Sequence, residues 1–323
     1  MRGFIIFIIL FISGTSQAQY HTSPGILHQS AGCSTPAAIS GQLFVSKDGN
    51  SQLSDATAGG TWSSSTTTIA TIGSAGLVSG IAAGTATITY STGVGCEAYA
   101  TVTVAALTLA GTQAAQWDFS IQSSITLGTG VAIVADRSGN SRSLLQPTVA
   151  CQPAYVNDGG KSYIITDGVT TSAGDFLQAS FPLVQSYTIM RVLKMHWAAG
   201  QTIDGGITAN SGQTWMNSIL GFPYIGMVAA AALQPNTNTF PDNAWSVLTT
   251  TFNTSSSQII VDTGTAVTGN PGTAAPNGYT LGRDGNVSGT NSNIEVKFVV
   301  IFTGVLTSAQ QKANYVALIN YKP

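Results

Sequence analysis

Two glutamates, Glu97 and Glu295, three histidines, His21, His28 and His196, and three cysteines are, beside the aspartates, the residues with which this chain could do covalent or acid–base chemistry. Hydrolysis of a glycosidic bond needs two carboxyls at a fixed separation, one to protonate the leaving oxygen and one to act as nucleophile or base. Glu97 and Glu295 lie on opposite sides of a composition break, and no alternating run of acidic residues exists that would line a cleft. A nucleophilic triad is no better supplied. His21 and His28 fall in an N-terminal stretch without periodicity, His196 stands alone at a strand end, and Gly-x-Ser-x-Gly is absent. Catalysis is therefore not expected.

The polar residues suit binding better. A hard cation wants several oxygen ligands, which Asp/Asn loops with glycine turns can supply. Two segments have that form, Asp136-Arg137-Ser138-Gly139-Asn140 and Asp284-Gly285-Asn286, the second in a loop that runs on to Asn293. The same residues also make metal-free turns, in which the carboxylate or amide caps its own backbone. No cofactor is called for, calcium being the one cation these loops could hold, with Asp284 and Asn286 the candidate ligands. A sugar would need an aromatic ring to stack on and amides to hydrogen-bond its hydroxyls. Trp215 follows the polar run Ala209-Asn210-Ser211-Gly212-Gln213-Thr214, and Tyr224 lies close behind. Trp215, Tyr224, Asn210 and Gln213 are the candidate ligand-binding set.

Those residues sit in a chain built for display outside the cytoplasm. Arg2, the apolar run Phe4 to Ile12 and the small residues of Ser16-Gln17-Ala18 have the order of a secretory signal peptide, with cleavage expected after Ala18. Nine apolar residues are too few for the roughly 20 of a spanning helix, so no membrane insertion is expected after cleavage. Only 7% of the residues are charged and the net charge is −2, which leaves no basic stripe to neutralise phosphates and argues against a nucleic-acid partner.

The elements that must position the candidates are strands. Between Thr61 and Val104, short alternating runs, Ile69-Ala70-Thr71-Ile72, Leu77-Val78-Ser79-Gly80, Thr85-Ala86-Thr87-Ile88-Thr89-Tyr90 and Ala100-Thr101-Val102-Thr103-Val104, are broken by glycines at near-regular spacing. Their order resembles the bacterial immunoglobulin-like group 2 family, a module of surface adhesins and phage virion proteins. Farther on, Ile294 to Phe302 puts Ile294, Val296, Phe298, Val300 and Phe302 on one face of a buried strand, and similar runs occur at 187–195, 245–252 and 258–262. Only the C-terminus reads as helix, with Thr307 and Gln310 at capping-box spacing and Ala309, Ala313, Val316 and Ala317 on one stripe.

From Trp117-Asp118 through Ala135-Asp136-Arg137-Ser138-Gly139-Asn140, Gln152-Pro153-Ala154-Tyr155, Asp167-Gly168 and Tyr279-Thr280-Leu281-Gly282, the order of motifs resembles the laminin-G-like, concanavalin A-like jelly roll. The resemblances imply an all-β chain: a signal peptide over 1–18, a flexible N-terminus over 19–31, an immunoglobulin-like sandwich over 32–105, a linker over 106–114 and a jelly roll with a short C-terminal helix over 115–323. They assign Trp62, Trp117 and Trp245 to cores. Cys33 would precede the first strand of the immunoglobulin-like module and Cys96 its last, so a Cys33–Cys96 disulfide is expected, the alternative being two buried thiols; Cys151 is left as a buried free thiol. The function implied is non-catalytic, adhesin-like recognition of a glycan or a surface protein, with a phage virion appendage and a degenerate carbohydrate-active enzyme as the other readings.

Overall fold

The computed structural model describes residues 33–158, 161–169, 174–196, 200–207, 212–219, 222–233, 240–283 and 291–319. The expected signal peptide and N-terminal stretch lie outside them, as do Asn210, Asp284 and Asn286. Among the described residues the chain is all-β with one α-helix, Ser308–Ile319, as the sequence implied.

Residues 40–105 form two four-stranded sheets. One runs in the order Ser40–Gly41, Asn50–Ser54, Leu77–Gly80, Ala70–Ile72, the other Phe44–Ser46, Cys96–Ala105, Gly84–Gly93, Thr61–Ser64. Alternation decides which side chains go inside: Ala86, Ile88 and Tyr90 of Gly84–Gly93 are buried, and Ala86 and Ile88 meet Val45, Leu53, Val78, Val102 and Val104 in one core. Tyr90 lies at the edge of this core against Trp62 and carries a polar tip, donating its hydroxyl to the Thr57 carbonyl and accepting the Gly60 amide at 2.9 Å. Gly60 is required there, because a Cβ would lie 2.4 Å from the Tyr90 ring.

The rest of the chain builds a nine-stranded and an eight-stranded sheet, with Gln113–Asp118 joining the second by pairing with Ile294–Thr303. Trp117, Tyr187, Ile189, Leu193, Tyr279, Leu281 and Val296 pack in the apolar layer between them. A second apolar layer lies on the outer face of the eight-stranded sheet, where Met190, Val192, Phe298, Val300 and Phe302 meet Leu109, Leu306 and Leu318. Strand Ile294–Thr303 is apolar on both faces because both faces are covered.

Two expectations are corrected here. Ile294, Val296, Phe298, Val300 and Phe302 do not share a face. A register shift between Val192 and Leu193 opposite Phe298 and Val296 inserts an extra residue, so Ile294 and Val296 point into the sandwich while Phe298, Val300 and Phe302 point to the helix. The helix, likewise, docks through only one residue of its stripe: Ala317 packs against the outer apolar layer, while Ala309, Ala313 and Val316 are exposed. Its buried residues are Asn314 and Leu318, and Val316 is 54% exposed. Asn314 sets the rotation: its side chain accepts the Ala110 amide at 2.6 Å and donates to the Ala110 carbonyl at 3.0 Å. The capping box does form, Gln310 accepting the Thr307 amide at 2.9 Å and donating its own amide to the Thr307 hydroxyl at 3.3 Å.

Candidate functional site

Strand Gln213–Ile219 carries the sequence-derived candidates, and its orientation follows from a polar cluster in the sandwich interior. Arg191, on the eight-stranded sheet, and Asp204, on the nine-stranded one, are both fully buried and paired by two hydrogen bonds, the guanidinium Nη2 reaching Asp204 Oδ1 at 2.8 Å. The Tyr279 hydroxyl donates to Asp204 at 2.7 Å, and Arg191 donates further to the hydroxyls of Thr250 at 2.6 Å and Thr214 at 3.0 Å. Burial pushes the Arg191 guanidinium toward neutrality, and the charge of Asp204 with the Tyr279 hydroxyl outweighs it, so its pKa lies above the ordinary value. This is a structural brace between the sheets. Thr214 therefore points inward, and alternation turns Gln213 and Trp215 to the outer face.

On that face Trp215 is partly exposed and lies across Gly226, its neighbour on strand Phe222–Val228. Gly226 makes room for the ring, since a Cβ there would stand 2.7 Å from the indole. Thr202 flanks Trp215 on the other side. Gln213 is on the same face but only 7% exposed, which leaves its amide little surface for a ligand. Tyr224 belongs to the neighbouring strand opposite Asn217. The structure thus puts Trp215, Gln213 and Tyr224 on two adjacent strands. Of the tryptophans assigned to cores, Trp117 is fully buried and stacked on Tyr279 at 5.2 Å, and Trp62 sits against Tyr90 at 4.6 Å. Trp245 is partly buried on the outer side of the eight-stranded sheet, edge-on to Tyr163 at 5.4 Å.

The Asp136 loop is a turn. Asp136 Oδ1 accepts the amides of Gln116 at 3.0 Å and Ser138 at 2.8 Å, and Oδ2 accepts the Arg142 amide at 2.9 Å. Burial raises the Asp136 pKa, but the amides of Arg142, Gln116 and Ser138 with the Ser138 hydroxyl outweigh it and hold the carboxyl below its usual range. Among the described residues no group of three or more His, Cys, Asp or Glu side chains is placed to hold a metal. His196 and Lys194 both contact Glu295 Oε1, at 2.8 and 2.6 Å, so the lone histidine is held in a mixed-charge cluster that its position in the sequence did not reveal.

A further carboxyl pair was missed in the sequence. Asp167 accepts the amides of Val169 at 3.0 Å and Asp175 at 3.2 Å, which brings the two carboxyls together. Burial first, and then the charge of Asp167, push Asp175 up to about 6. Below pH about 4 both states carry a neutral Asp175 and no penalty arises; as pH rises through about 6 the native state must charge a group it disfavours, so this residue's contribution to stability falls across that window. An NMR titration should show the Asp175 carboxyl with a midpoint near 6, moved down by Asp167→Asn. A midpoint near 4 in the unaltered protein would mean that neither burial nor Asp167 acts on it.

No protein-family model and no curated protein matches the sequence. Similar solved structures include domain 4 of AbnA, an extracellular arabinanase of Geobacillus stearothermophilus in complex with arabinotriose, at 13% identity and a TM-score of 0.46, the match covering 64% of this chain and 98% of that one. A Trypanosoma rangeli sialidase in complex with sialic acid is 11% identical with a TM-score of 0.44, over 84% of this chain and 48% of the sialidase. Botulinum neurotoxin type C, whose cell entry depends on two ganglioside molecules, is 12% identical with a TM-score of 0.45, over 65% of this chain and 51% of the toxin. The chain thus spans about half the length of the sialidase and the toxin.

Proposed function

We propose that this is a secreted, non-catalytic binding protein in which an immunoglobulin-like module of the bacterial group 2 type presents a laminin-G-like jelly roll that recognises carbohydrate. The observation that carries the reading is Trp215: a partly exposed indole on an outer sheet face, laid over a glycine that leaves it room. A ring so placed offers a pyranose an apolar surface at little conformational cost. The non-catalytic part is supported by the employment of the acids. Glu97 accepts a hydrogen bond from Tyr99 in the N-terminal sandwich, Glu295 is tied to Lys194 and His196, and Asp204 is committed to Arg191. Secretion is supported by the Cys33–Cys96 disulfide, which persists in oxidising compartments. Calcium, with Asp284 and Asn286 as its ligands, is proposed as an auxiliary to that binding.

Stacking on one aromatic ring contributes on the order of 1 kcal/mol beyond area burial, by analogy with aromatic pairs, which corresponds to about fivefold in affinity. Trp215→Ala should therefore weaken binding to the best ligand on a glycan array about fivefold while the melting transition stays nearly in place. Unchanged affinity, or a large loss of stability, would return Trp215 to a packing role. Release of reducing sugar from a bound polysaccharide would overturn the non-catalytic assignment.

A further inference from the structure

The outer face of the eight-stranded sheet is covered only in part. Helix Ser308–Ile319 lies over the middle of it, and beside the helix the strands Trp245–Phe252 and Ser257–Val261 leave a cavity of about 280 Å³. Thr249 and Ile260, cross-strand neighbours, line it from the sheet; Gln311, Lys312 and Tyr315 line it from the helix; Asp262 lines it from the turn. Trp215 belongs to the other sheet, so this cavity is separate from the face on which it lies.

The chemistry of the walls selects for a ligand with an apolar face and several hydroxyls. The Ile260 side chain and the Tyr315 ring supply apolar surface, suited to the C–H face of a sugar ring. The polar groups comprise a carboxylate that only accepts, an ammonium that only donates, an amide that does both and the Thr249 hydroxyl, and a hydroxyl on the ligand can satisfy each of them. One negative and one positive side chain leave the site without a net preference for a charged ligand. The volume lies near the low end of ligand pockets, roughly 300 to 1,000 Å³, which suits one sugar ring rather than an oligomer.

Two of the groups are held in place by the fold rather than by a ligand. Asp262 stands at a φ of +50°; its amide donates to the Val247 carbonyl at 2.8 Å, and one carboxylate oxygen accepts the Val247 amide at 3.0 Å. Tyr315 packs against the apolar layer that contains Val247 and Leu318. Ordering these groups costs a ligand nothing further, and such preorganisation favours binding.

We propose that this cavity is a second saccharide subsite, taking a single neutral pyranose residue. It rests on the carbohydrate-binding reading of the domain and adds a site on the opposite sheet. The test is saturation-transfer NMR on the full chain with methyl glycosides of glucose, galactose, mannose and N-acetylglucosamine. Three chains are compared with the parent: Trp215→Ala, the double variant Gln311→Ala/Lys312→Ala, and Thr263→Trp, which fills the cavity from the exposed turn should the helix variant unfold. The expected result is that at least one glycoside still receives transfer in Trp215→Ala, and that the helix variant and Thr263→Trp each weaken that signal at least fivefold. Transfer lost in Trp215→Ala but unchanged in the cavity variants overturns this subsite and leaves the Trp215 reading standing. Transfer that is undiminished in Trp215→Ala for every glycoside and lost in the cavity variants supports the subsite and overturns the Trp215 reading, and absence of transfer to the parent chain overturns both.

Discussion

Asp204→Ala should lower the unfolding free energy of the C-terminal sandwich by about 3 to 5 kcal/mol, the usual result of removing one partner of a buried ion pair. Arg191 is fully buried and its pKa is raised, so the guanidinium stays charged, and without Asp204 it would keep only the hydroxyls of Thr250 and Thr214 and the Ile189 carbonyl. Tyr279 loses the acceptor of its hydroxyl in the same step. The double variant Arg191→Met/Asp204→Leu should recover most of the loss, because an apolar pair of similar volume avoids desolvating two charges. Urea denaturation followed by tryptophan fluorescence measures both. Trp117, stacked on Tyr279, reports from inside this core. A single variant within 1 kcal/mol of the parent would mean that the brace contributes little.

That brace shows what was legible in the sequence and what was not. Alternation in Gly84–Gly93 and the apolar run of Ile294–Thr303 could be read as strands because each residue's type reflects the face it sees. Arg191 and Asp204 could not be read as a pair. They lie on different sheets and only the stacking of those sheets brings them together, so nothing local in the sequence joins them. The parity between Ile294 and Val296 on one side and Phe298, Val300 and Phe302 on the other is broken by a one-residue bulge, which composition does not mark. The helix rotation was misjudged because a polar residue, Asn314, and not the alanine stripe, sets it. For the site, Trp215 was picked for its neighbours in sequence, whereas its placement depends on Gly226 across the strand pair. The cavity beside the helix draws on residues from 249 to 315, and no local pattern joins them.

Reduction of Cys33–Cys96 should cost the N-terminal module about 4 kcal/mol, the chain-entropy figure for a bridge between cysteines 63 residues apart. The geometry is compatible with an ordinary bridge, the Cα atoms standing 5.9 Å apart. Cys96 opens strand Cys96–Ala105 and pairs with Gly93, while Cys33 lies ahead of the first strand, so the bridge ties the entry of the chain to the central hairpin of one sheet. A module of this size has a single small core, and a loss of this magnitude is a large share of its stability. Cys151 cannot substitute, because its thiol is buried at 5% exposure in the other sandwich. Differential scanning calorimetry with and without reductant, and of Cys33→Ser, should therefore show the transition of the N-terminal module moved well down and that of the jelly roll unmoved. Denatured but unreduced protein should give one titratable thiol and reduced protein three; three thiols without reductant would rule the bridge out.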